Sequence, residues 1–251
     1  MTPRPTQHEL PHEPYEKLIH NPIQQLLLIA PLLIVYHVGT YFYADTLKVP
    51  HYLRMLFESW HAPMAFLPSF LILTTLTIQH FLRKDRFCFS PGIQCGMIVE
   101  GAILWLPLLP ASWISTQFTA ATVSPSSTSL TMARCVESIC AGVYEEFIFR
   151  AVLMSLLGLL LIDILHYRKL RAKILAVAVS AILFSLMHFQ MAEIFGNLPL
   201  DFSRLLFLAA AGVWFAVIYL WRGYGVAVAT HLTWNIVTAI AASMVEAPRN
   251  L

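Results

Sequence analysis

Glu145-Glu146-Phe147-Ile148-Phe149-Arg150 sets three ionisable side chains in the middle of a long apolar run. Upstream stands Met132-Ala-Arg-Cys-Val-Glu-Ser-Ile-Cys-Ala-Gly-Val-Tyr144, and downstream residues 151–165 are almost wholly aliphatic. The whole stretch reads as one lipid-embedded helix. A carboxylate in such a helix is costly unless it is paired or faces water. Glu146 and Arg150 stand four apart with the acid nearer the amino terminus, the favoured order for a helical ion pair. Glu145 lies about 100° round the helix from Glu146, which makes it the candidate for chemistry.

Composition supports this. The chain of 251 residues is 58% hydrophobic and 12% charged, against roughly 25% charged for a soluble domain. The expected fold class is all-α, a polytopic transmembrane helical bundle of about seven to eight membrane helices. A net charge of +2, with the basic residues scattered among short loops, excludes nucleic acid as a partner. Cys88, Cys95, Cys135 and Cys140 form no Cys-x-x-Cys pair and read as small buried hydrophobes rather than disulfide or zinc ligands.

Outward from the centre, residues 1–22 carry five prolines among His and Glu and read as a flexible tail. Residues 23–130 read as the amino-terminal membrane helices, with spans at 23–43, 62–82 and 93–113. Residues 47–60 form an amphipathic interfacial segment, and residues 112–131 a Ser- and Thr-rich loop. Residues 131–246 read as the carboxy-terminal membrane core, the candidate catalytic part of the chain because it holds Glu145. Its first helix, 132–165, would run ~50 Å against a hydrocarbon layer of ~30 Å, so it must tilt, kink or protrude. Spans at 174–189, 204–221 and 226–245 follow.

Lys and Arg concentrate on one side of this layout. Arg83, Lys84, Arg86, Arg168, Lys169, Arg171, Lys173 and Arg222 fall in loops of one side, and Lys48 and Arg54 in those of the other. The positive-inside rule then puts the amino terminus in the cytoplasm. The localisation expected is a multi-pass protein of a bacterial cell membrane.

Polar side chains recur deep in the last spans: Glu145, His188, His231 and Asn235. His231 and Asn235, four apart, share one helical face. A polar cavity common to all four is the economical explanation. Glu100 and Glu137 could line it or brace neighbouring helices, and His37 and His80 read as satisfied structural residues.

Glu145-Glu146-x-x-x-Arg150, Phe184-x-x-x-His188 and His231-x-x-x-Asn235 arrive in the order of the CPBP family, which the chain resembles over about residues 130–245. That family includes type II CAAX prenyl proteases. The resemblance implies an intramembrane endopeptidase of glutamic type acting on a membrane-associated or lipidated protein or peptide. In it Glu145 and His188 would activate water, His231 and Asn235 would stabilise the oxyanion, and Glu146 and Arg150 would support them. No cofactor is expected on this reading. A zinc site of Glu145, His188 and His231 is the alternative, since two His and a carboxylate with an open position form a catalytic zinc pattern. An inactive immunity or scaffold protein of the same fold and a proton-coupled transporter are the competing functions. Straight helices would place His188 ~22 Å from Lys173 but His231 only ~13 Å from Arg222. Tilt of the fifth span, or protrusion of its basic start, must bring the two imidazoles to one depth.

Overall fold

The structure is a computed structural model that describes residues 14–43, 66–118 and 130–246, apart from Arg86, Cys88, Gln190 and Asn197. Every regular element among the described residues is helical. The short α1 (Tyr15–Leu18) leads into α2 (Pro22–Tyr43), α3 (Leu67–Arg83), α4 (Pro91–Leu104) and α5 (Leu108–Phe118). Then α6 (Leu130–Glu146) passes without a break into a π-helical stretch (Phe147–Leu153), α7 (Met154–Gly158) and a second π-helical stretch (Leu159–Ile164). The chain closes with α8 (Lys169–Leu186), the single turn α9 (Met191–Ile194), α10 (Phe202–Arg222) and α11 (Tyr224–Glu246).

Local sequence sets these boundaries. Pro91 opens α4, where its missing N–H is no loss. Asp201 caps α10 by accepting from the Arg204 N–H at 3.0 Å. The gap expected between the spans 204–221 and 226–245 shrinks to Gly223 alone, whose φ of 86° suits glycine and separates α10 from α11. Four stretches are long and apolar enough to cross a membrane: Pro22–Phe42, Pro91–Trp113, Met132–Ile164 and Phe202–Arg222. Residues 67–83, 169–186 and 224–246 supply three further long helices. Large apolar side chains such as Phe42, Phe81, Leu82, Leu156 and Leu206 face outward, as a bundle solvated by lipid tails requires.

Several sequence expectations need correction. The flexible tail does not extend to residue 22, because Ile19 is fully buried and Tyr15 packs where a Cβ on Gly96 would stand. Arg222 is no free loop cation: it donates through Nε to Glu100 Oε2 at 2.9 Å, with a second contact to Oε1, and approaches Glu16 at 3.7 Å. Glu100 therefore braces α4 against the α10–α11 turn. Of the cysteines, Cys140 is buried but Cys95 is exposed. The fifth span runs from Lys169 to Leu186, so His188 falls in the turn that ends it. The interfacial segment at residues 47–60 lies outside the described residues.

One end of the bundle gathers its connections. Arg83 donates to the His20 carbonyl at 3.0 Å, and His20 Nε2 donates to the Trp221 carbonyl at 3.1 Å. The start of α2, the end of α3 and the α10–α11 turn therefore meet there. The hairpin from the second π-helical stretch into α8 overhangs this end. Tyr219, three residues before Arg222, hydrogen-bonds Ser155, and residues 163–171 beyond it are all exposed. The basic start of α8 lies within this exposed stretch.

Close approach of α4 and α11 rests on Gly101, where a Cβ would stand 2.7 Å from the Ala229 carbonyl carbon and 2.9 Å from the Thr230 nitrogen. Backbone cannot rotate aside as a side chain can. Gly101→Ala should cost ~1–3 kcal/mol through overpacking, outweighing the ~1 kcal/mol that alanine gains in a helix. Gly158→Ala, with open space around it, should be neutral or stabilising. Thermal unfolding of both variants in detergent, measured side by side, checks the contrast.

Candidate active site

The site is built where α6 gives way to π-helix. Glu145 and Glu146 are the last residues of the α-helical part, and Phe147 begins the i→i+5 winding. Single π turns of this kind often occur at functional sites, because they re-aim side chains without ending the helix. Arg150 stays within reach of Glu146, its Nε 3.2 Å from Oε2, with both side chains fully buried. The guanidinium also donates to the Gly212 carbonyl at 3.1 Å and lies 4.5 Å from the centre of the Phe184 ring. A buried cation is tolerated here by a carboxylate, a carbonyl and an aromatic face together.

Glu146 has a second partner from the other end of the sequence. His231 Nδ1 lies 2.8 Å from its Oε1. An ionised carboxylate only accepts, so the Nδ1–H of His231 donates to it and the opposite ring nitrogen, Nε2, is turned toward Glu145 Oε2 at 3.9 Å. His188 is held in the same manner by the backbone. Its Nδ1–H donates to the Phe184 carbonyl at 2.8 Å, which leaves Nε2 3.7 Å from the same Glu145 oxygen. Both imidazoles thus have their aim fixed by a bond at Nδ1, as orienting partners do in histidine sites generally.

Aromatic rings hold the imidazoles from the side. The His231 ring lies parallel to Phe215, with centres 4.5 Å apart and planes 13° apart. Phe184 approaches His188 at 4.7 Å and His231 at 5.9 Å. Tyr224 donates to the Val143 carbonyl at 2.8 Å, pinning the start of α11 to α6 two residues before Glu145. Close contact of α6 and α11 follows from Gly142, whose absent Cβ would stand 3.2 Å from the Leu232 nitrogen.

Of the residues singled out from sequence, the structure brings Glu145, Glu146, Arg150, His188 and His231 together. Asn235 follows His231 by one turn and lies in an adjoining cleft of about 390 Å³, lined also by Arg134, Glu137, Ser138, Ala141, Thr238 and Ala239. Glu145 and His231 are buried, whereas a quarter of the His188 side chain is exposed, so the site opens at His188. Phe215 and Gly212 escaped the sequence reading. Each sits in an apolar helix with no polar neighbour to mark it, and only the mid-helix glycine hinted at a close approach.

Among the described residues, no group of three or more His, Cys, Asp or Glu side chains is arranged to hold a metal ion. Glu145, His188 and His231 share one oxygen at 3.7 and 3.9 Å, while the remaining nitrogens of both rings are spent on Phe184 and Glu146.

Replacing Glu146 should expose the cost of a fully buried guanidinium. Glu146→Ala is expected to destabilise the protein by ~3–5 kcal/mol, the range for breaking one side of a buried pair. Thermal melts of detergent-purified protein compare it with Arg150→Met/Glu146→Leu, in which both charges are gone and most of the loss should be recovered.

Residues 127–237 match the family model described as Rce1-like, type II CAAX prenyl endopeptidase. No curated protein and no solved structure matches the chain.

Proposed function

We propose, for a chain whose residues 127–237 belong with the Rce1-like type II CAAX prenyl endopeptidases, that it hydrolyses a peptide bond of a membrane-associated protein or peptide by means of water activated at Glu145. The observation that carries this reading is the convergence of His188 Nε2 and His231 Nε2 on one Glu145 oxygen, at 3.7 and 3.9 Å. Direct hydrogen bonds are shorter, about 2.7–3.2 Å. A spacing of this size suits one water molecule touching the carboxylate and an imidazole at once.

The proposed sequence of steps needs only these residues. Glu145 takes a proton from the water as its oxygen attacks the substrate carbonyl carbon, and His188 holds the water in line. The carbonyl π pair moves onto oxygen, giving a tetrahedral oxyanion. His231, bonded at Nδ1 to Glu146, is the donor from Nε2 to that oxygen, and the Asn235 carboxamide adds a second donor from the cleft side. The C–N bond then breaks as Glu145 returns its proton to the leaving amine. Glu146 and Arg150 keep His231 in place and touch no reacting atom.

The site lies nearer the basic end of the bundle, since His231 is seven residues, ~10 Å, into α11 and fifteen more, ~22 Å, remain to Glu246. Together with the positive-inside rule, this supports an amino terminus and a nearer mouth on the cytoplasmic side.

Cleavage by purified protein in liposomes tests the reading against a membrane-anchored reporter peptide. Glu145→Gln should abolish turnover, and Asn235→Ala should lower kcat on the order of a hundredfold, the usual loss of one oxyanion donor. Activity should survive exhaustive chelation. Full activity in Glu145→Gln, or loss on chelation restored by zinc, overturns the assignment.

A further inference from the structure

The hairpin that leads into α8 is strongly basic. His166-Tyr-Arg-Lys-Leu-Arg-Ala-Lys173 places four Lys and Arg within six residues, and no Asp or Glu occurs from residue 164 to residue 192. Other arginines at this end of the bundle are spent on partners, Arg83 on Asp85 and the His20 carbonyl, Arg222 on Glu100. Arg168, Lys169, Arg171 and Lys173 differ from them. All four are exposed, and none has a hydrogen bond or ion pair among the described residues. Asp163, the nearest acid along the chain, pairs with none of them.

Helix geometry shows what this surface faces. Ala172 and Ala176 are buried, 1% and 4% exposed, and mark the side of α8 that packs on the bundle. At about 100° per residue, Leu170 and Ile174 point about 180° away from that side, and they are 71% and 60% exposed. Lys169 and Lys173 stand on one flank of this apolar ridge and Arg171 on the other. Leu165 and Tyr167 add exposed apolar surface just before the first turn. A helix face turned to water carries its charges outermost. Here the aliphatic row is outermost and the charges flank it, the order that suits the boundary of a lipid leaflet, where the ridge enters the acyl layer and Lys and Arg reach back to the headgroups.

We propose that residues 165–174 form a docking surface for anionic phospholipid, with Leu170 and Ile174 against the acyl chains and the four cations on the headgroup phosphates. The surface lies between the two helices that bring Glu145 and His188 together: upstream the helix runs without a break to Glu145, and downstream α8 ends at the turn that holds His188. Lipid held there ties both helices to one leaflet. The inference stands on the hairpin's own residues and does not depend on the endopeptidase reading.

The experiment uses the full-length protein in nanodiscs of mixed phosphatidylcholine and phosphatidylglycerol, doped with a trace of one or the other lipid carrying a photoreactive group on its headgroup. After illumination, mass spectrometry locates and counts the adducts. Labelling of residues 165–174 by the phosphatidylglycerol probe should exceed that by the phosphatidylcholine probe by about fivefold or more, the contribution of each Lys or Arg close to an anionic surface. The ratio should fall toward one at about 1 M salt, where charges are screened within ~3 Å.

Lys169→Gln/Lys173→Gln and Arg171→Gln, which strip one flank each, should lower the ratio, and Arg168→Lys/Arg171→Lys should keep it. Poor insertion of a neutral variant does not spoil the test, because the probe ratio and its salt dependence are read on the native chain. Equal labelling by the two probes in the wild-type protein at low salt, or a ratio indifferent to salt, overturns the proposal. So does displacement of the phosphatidylglycerol probe by water-soluble polyglutamate, which would mark the hairpin as a surface for an acidic protein segment instead.

Discussion

Glu146 carries two bonds that no other residue could supply at once. Its carboxylate holds Arg150 within α6's own continuation and His231 from α11. Because the site is buried in a bundle without bulk water, each of these charges would be intolerable alone. Their mutual satisfaction fixes the relative position of the fourth and last long helices. Arg150 extends the tie to α10 through the Gly212 carbonyl and to α8 through the Phe184 ring. Four elements are thereby registered to one another by a single buried cluster.

That registration makes Glu145 useful. Two neighbouring acids on a helix point about 100° apart, so when one is locked into the structural cluster the other is directed into the space between α6, α8 and α11. Each imidazole facing it is bonded at Nδ1 and aimed at Nε2. Both rings are therefore held in place before any ligand arrives. The paired glutamates differ by environment, Glu146 holding Arg150 and His231 and Glu145 facing the two imidazole Nε2 atoms.

The rest of the bundle serves this arrangement at a distance. Gly101, Gly142 and Gly212 let backbones approach where α4, α6 and α8 meet their neighbours, which is the usual means of packing helices that gain nothing from excluding water. Residues 14–21 and the Glu100–Arg222 pair close the basic end. On α2 and α3, His37 and Ser69 join Tyr144 in a hydrogen-bonded chain of 2.7 and 2.6 Å, bracing the amino-terminal helices against α6. The exposed hairpin before α8 carries the basic start of that helix.

The all-helical membrane fold, the Glu146–Arg150 pair and the candidacy of Glu145, His188 and His231 were legible in the sequence alone. Each depends on local facts: apolar length against bilayer thickness, a spacing of four, and the cost of a polar side chain in lipid. Tertiary structure decided what those facts leave open. His231 binds Glu146 as well as facing Glu145, Arg222 is consumed by Glu100, His188 rides on a turn and not inside a helix, and Phe215 stacks on His231. These are contacts between residues tens of positions apart, set by helix rotation, by π-helical winding after Glu146 and by how far one hairpin overhangs another. No periodicity along a single chain encodes such relations, because they arise only when several helices pack together.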